Sequence, residues 1–162
     1  MSVLDYTTYD EIRAVLGVST DELEDSTLAL GLYLSNLIGE LEDIDTSLPG
    51  DYAVVAALSS RSALQQRFYE GTRLFAAYAV AKQLGSGLPL FGPKDITDGK
   101  ASTSRFADSP YKETLKAVSA YYERTRGKLE SAYADLNAGS KTTVARTLFV
   151  GGQPSSNPVT GT

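Results

Sequence analysis

Apolar residues at Ile12, Val15 and Leu16 share one helical face within residues 8–16. Thr8 stands where a cap belongs, Glu11 three residues on completes a capping box, and Gly17 supplies the stop. A second helix is expected from Ser19 or Thr20. Asp21, Glu22, Glu24 and Asp25 lie near its positive end, where anions are favoured. Leu23, Leu30, Leu34, Leu37, Leu41 and Ile44, widened by Leu28 and Leu32, carry its helical period for about six turns. Residues 45–51 hold Pro49-Gly50 and read as a turn, and 52–58 as a short apolar helix. Ser59, Ser60, Arg61 and Ser62 either break that helix or sit on an exposed face.

Residues 63–84 predict a long helix with two apolar stripes. Leu64, Phe68, Phe75 and Tyr78 form one; Leu74, Ala77, Ala81 and Leu84 form the other. The alanines at 76, 77, 79 and 81 admit a close neighbour, so this helix is central or shared with another subunit. A helix stop and an apolar loop follow at 85–92, where the glycine spacing fits neither phosphate-binding fingerprint. Asp98-Gly99 signals a tight hairpin-like loop. Ser109 as cap and Pro110 at the first helical position open a last helix. It is expected to run to Asn137, with Tyr111, Leu115, Val118, Tyr122, Leu129 and Leu136 buried and Asn137-Ala138-Gly139 as its end. Residues 144–150 are extended, and 151–162 form a loop-rich segment without an acid. A solvated tail and a docking arm are the two readings of this end. Apolar Leu148, Phe149 and Val150 favour the arm.

The expected fold is therefore all-α. A bundle of four to five helices over residues 1–139 carries one hairpin-like loop, with an extended arm at 140–162.

Composition removes chemistry from this frame. The 162 residues include no histidine and no cysteine, which excludes His-based triads, thiolate nucleophiles, disulfides and Cys/His metal sites. No residue set nominates a catalytic, metal or cofactor site, so a non-enzyme without cofactor is expected. Glu40, Glu42, Asp43 and Asp45 match no calcium-loop spacing and read as a solvated helix end. No apolar run has the length of a membrane span, and Met1 to Asp10 has two acids and no base, unlike a secretory signal.

Charge is divided unevenly. Residues 1–51 hold 12 acids and one base, Arg13; residues 52–162 hold 8 acids and 14 bases. One reading packs an acidic part on a basic core within one molecule. The other sets the acidic face of one copy, with Asp21, Glu22, Glu24 and Asp25, against the basic last helix of the next, with Lys112, Lys116, Arg124 and Lys128. Glu113, Glu123 and Glu130 among those bases favour salt-bridged solubility over nucleic-acid binding.

The layout resembles the head-to-tail adaptor (head-completion or connector) proteins of tailed bacteriophages. The resemblance rests on residues 9–17 (YDEIRAVLG) before an acidic-started helix, on the long 64–84 helix, and on Asp98-Gly99 before Ser109-Pro110. It extends to the tail closing Asn157-Pro158-Val159-Thr160-Gly161. It implies a virion structural protein of the neck, assembled in the host cytoplasm as a dodecameric ring. Such a ring joins the portal protein to a tail or stopper protein and encloses a channel for DNA, without contact to a membrane. The arm, with Val144, Arg146, Leu148, Phe149, Val150, Pro158 and Val159, would then dock on a partner. The loop residues Asp98, Gly99, Arg105 and Phe106 would make further contacts. Another neck or tail-completion protein, and a helical DNA-packaging or DNA-binding protein, are the alternatives.

Overall fold

The computed structural model describes residues 2–87, 96–98, 101–103 and 110–141. It is an all-α bundle: α1 (Tyr9–Leu16), α2 (Asp25–Leu28), α3 (Gly31–Glu42), α4 (Leu48–Ala56), α5 (Ala63–Gly87) and α6 (Pro110–Lys141). A 3-10 turn at Val3–Asp5 precedes them. Between α5 and α6, β1 (Ile96–Asp98) pairs antiparallel with β2 (Ala101–Thr103), Asp98 opposite Ala101.

Local chemistry accounts for α1. Thr8 Oγ1 accepts the Glu11 N–H at 3.2 Å, and the Glu11 carboxylate accepts the Thr8 N–H at 2.9 Å, a reciprocal box. Gly17 takes φ +69°, and its N–H returns to the Arg13 carbonyl. That left-handed backbone conformation is open to glycine at little steric cost.

The long second helix expected from residues 19–44 is broken twice. Ser19 does start a turn, with its N–H on the Glu22 carboxylate at 2.8 Å, but that turn stops at Leu23. The short α2 follows, and Leu30 leaves the helical region (φ −60°, ψ 130°) before α3 begins. The breaks let Leu23, Leu28, Leu37 and Leu41 all face the core, while Leu30 and Leu32 turn outward. A straight helix would hold one fixed period; bending the chain round the core buries more of these leucines.

Three boundaries also differ. The expected turn at 45–51 is largely helix, because Pro49 lies in the first turn of α4, where its missing N–H is no loss. That helix ends at Ala56, and Arg61 donates to the carbonyls of Val55 and Ala56 at 2.8 and 2.6 Å. Ser62 and Gln65 then form a second reciprocal cap at the start of α5, so the polar patch separates two helices. At the other end, Asn137-Ala138-Gly139 does not stop α6, which continues to Lys141. A Cβ at Gly139 would meet Leu64 Cδ1 at 3.3 Å, so this glycine sits in a close helix crossing.

The core is built around α5. It packs on α1, α3 and α4 and most extensively on α6, and its Phe68, Phe75, Ala76, Ala79, Val80 and Ala81 are buried. The small residues serve contacts within one chain. The pairing with α6 is antiparallel: Phe68 meets Tyr133 (centroids 5.4 Å apart) and Phe75 meets Tyr122 (5.4 Å). Tyr6 stacks on Tyr52 at 4.8 Å, and Tyr52 on Tyr69 at 5.6 Å, extending the aromatic layer to the N-terminal turn. Leu64 and Leu74, expected in the α5 stripes, are exposed instead. No described helix is long and apolar enough to cross a membrane.

Candidate assembly interface

The acidic candidates lie on the connection between α1 and α3. Asp21, Glu22, Glu24 and Asp25 are all exposed. Glu22 caps Ser19, and those hydrogen bonds hold its carboxyl below the ordinary range. Glu24 holds the N-cap position of α2 without a side-chain capping bond and accepts from Ser26 Oγ at 3.0 Å. Asp25 is engaged inside its own chain. It pairs with Arg13, which also binds Asp10 at 3.0 Å and donates through Nε to the Leu23 carbonyl at 2.8 Å. The hydrogen bond to Asp25, more than any other contact, pushes this guanidinium's pKa above its ordinary value. Arg13, the one base of the acidic part, thus pins the acidic connection to α1.

The basic candidates Lys116, Arg124 and Lys128 are exposed on α6. Arg124 and Lys128 share a face with Tyr121, at spacings of 3, 4 and 7, whereas Lys116 points elsewhere round the helix. Lys112 lies in the first turn of α6. The fold does not bring the acidic and basic sets together within one molecule. Of the six ion pairs among the described residues, Glu11–Arg73 at 3.2 Å alone joins the acidic to the basic part of the chain. No described ion pair involves Asp21, Glu22, Glu24, Lys116, Arg124 or Lys128.

Apart from Glu11, the acids that meet the later helices do so through tyrosines. Tyr122 donates to Glu40, with Lys82 Nζ 3.5 Å from its ring centroid. Burial, then the Glu40 carboxylate, push the Tyr122 phenol up to about 12. Tyr133 donates to Asp51 at 2.6 Å and shares a 2.7 Å hydrogen bond with Ser47. Sequence reading treats Tyr122 only as part of the apolar stripe and does not single out Tyr133. The available signal was that a buried phenol needs a partner. Glu40 is thereby occupied, and Asp45 caps Ser47 at 2.9 Å. Among the described residues no three carboxylates converge as a metal would require.

An open groove of about 610 Å³ runs between α5 and α6. Ala63, Arg67, Glu70 and Leu74 form one wall, and Lys128 and Ala132 the other. Leu74 is 46% exposed, and Tyr121, stacked on Tyr78 at 5.5 Å, is 49% exposed. On the acidic side, Leu30 and Leu32 are 52% and 62% exposed. Lys128 thus shares a groove with the exposed Leu74, and the exposed Leu30 and Leu32 follow the acidic set in sequence.

Asp98 ends β1. Gly99, Arg105 and Phe106, and the arm residues Val144, Arg146, Leu148, Phe149, Val150, Pro158 and Val159, lie outside the described residues. Compared with protein-family models, curated proteins and solved structures, the chain matches none.

Proposed function

We propose that this chain is a virion structural protein. It is a ring-forming adaptor that joins the portal of a phage head to the tail or neck, with residues 140–162 reaching a neighbouring protein. One observation carries the assembly part of this reading. The exposed acids Asp21, Glu22 and Glu24 and the exposed bases Arg124 and Lys128 have no described ion pair in their own molecule. Sets of opposite sign on separate elements, with no ion pair among the described residues, suit a heterologous contact, which closes into a ring when the rotation between copies permits. The phage context comes from the sequence resemblance.

Electron microscopy of the purified protein and of its parent particle tests the proposal. The expected result is a ring on the particle axis at the head-tail junction. Association followed by light scattering should weaken as salt is raised from about 0.05 to 0.5 M, because exposed charges are screened over a shorter distance. A particle without the chain at its neck, or a size indifferent to salt, counts against it.

A further inference from the structure

The α5–α6 groove and the Leu30–Leu32 corner share no residue, and each displays apolar surface beside charge of one sign. The groove spans α5 from Ala63 to Leu74, about 16 Å at 1.5 Å per residue. Its own charges are partly committed. Arg67 is held by Asp135 at 2.7 Å, and Glu70, its one acid, accepts from Gln66 Nε2 at 2.7 Å. Lys128 in the wall and Arg124 one turn away have no described ion pair. An incoming group therefore meets the exposed bases Arg124 and Lys128 on the α6 side and exposed apolar surface at Leu74, with Ala132 buried beneath. The corner before α3 is the complement. Leu30 has extended backbone at the N-cap of α3, Leu32 lies in the first turn, and Asp21, Glu22 and Glu24, upstream in sequence, have no ion pair among the described residues.

Resting on the assembly reading above, we infer that the α5–α6 groove of one copy receives residues 21–32 of a second copy of this chain. Leu30 and Leu32 cover Leu74 and the apolar floor, and the acids meet Arg124 and Lys128 at the rim. The contact is head-to-tail, because donor corner and acceptor groove are different surfaces of one molecule. Burial of the leucines supplies affinity, and the rim charges set register and suppress other pairings.

The absence of cysteine allows a direct test on the full chain. Leu32→Cys and Leu74→Cys, both at exposed positions, are mixed and treated with a short bis-maleimide. The mixed link should exceed either like link by about tenfold. Lys128→Glu should weaken association by about tenfold, and Glu24→Lys in the same chain should restore it. Statistical linking among all pairings, with salt-sensitive rings still formed, overturns this contact and leaves the ring reading standing. No association at low salt and no ring in the particle overturns both. A Leu74→Cys/Val150→Cys chain that links within itself in preference to between copies gives the groove to the chain's own arm, and also overturns the contact.

Discussion

Single residues here hold the chain's least local decisions. Arg13 is the one base among the first 51 residues, and it is buried with its three polar contacts satisfied. The acids it binds are exposed and would remain solvated without it; the Leu23 carbonyl would not. Glu11 does two jobs, capping Thr8 and pairing with Arg73. Burial pushes its carboxyl up, but hydrogen bonds from Thr8 and Thr7 and the Arg73 charge outweigh that and hold it below its usual value. A carboxyl lowered in the fold stabilises it above the unfolded value, and that contribution is lost as pH falls through the folded value. Glu11→Gln keeps a capping-box partner but loses the ion pair. It should cost about 0.5–1 kcal/mol at pH 7, discounted because the pair is half exposed, and almost nothing near pH 3. Urea denaturation of both chains at the two pH values checks this; an equal difference at both would assign the loss to packing.

Elements show where backbone preference is overruled. Glycine at 127 lies mid-helix in α6, and a Cβ there would meet nothing within 4 Å. Gly127→Ala should therefore raise stability by about 0.5–1 kcal/mol through helix propensity alone. Gly17→Ala should lower it by about 1 kcal/mol or more, because the added Cβ resists φ +69° although space is free around it. Thermal unfolding followed by circular dichroism should move in opposite directions for the two. A common direction would mean that local conformation does not govern these sites. The broken helix at 19–44 belongs to this scale too. Its leucine spacing is helical, yet Ser26-Thr27 and Gly31 are weak helix formers, and tertiary burial of Leu23 and Leu28 decides the bends.

At the scale of the molecule, α5 is the axis and α6 its antiparallel partner, with α1, α3 and α4 also packed on α5. Every buried apolar side chain of the described core lies between Val3 and Tyr133. Ending the chain after Lys141 should therefore leave the melting temperature within about 2 °C of the full chain. Any arm-dependent docking on a neighbouring protein should be lost. A drop of many degrees would make the arm part of the fold. The two charge sets also matter only at this scale. No described ion pair joins them, so in the proposed assembly their attraction would act between molecules, where it steers orientation more than it adds affinity.

By itself the sequence determined the all-α class, the Thr8–Glu11 cap, the Gly17 stop, the Pro110 start and most of the buried stripe of α6. Each depends on residues within one or two turns of each other, where sterics and hydrogen bonding are local. Tertiary structure alone decided the break between α2 and α3, the helical fate of Pro49-Gly50 and the run of α6 past Gly139. It also decided the exposure of Leu30, Leu32, Leu64 and Leu74, and the tyrosine partnerships with Glu40 and Asp51. Those outcomes turn on which distant surface arrives to cover a residue. A leucine at helical spacing is core only if a neighbouring helix meets it, and periodicity records the face without recording the neighbour.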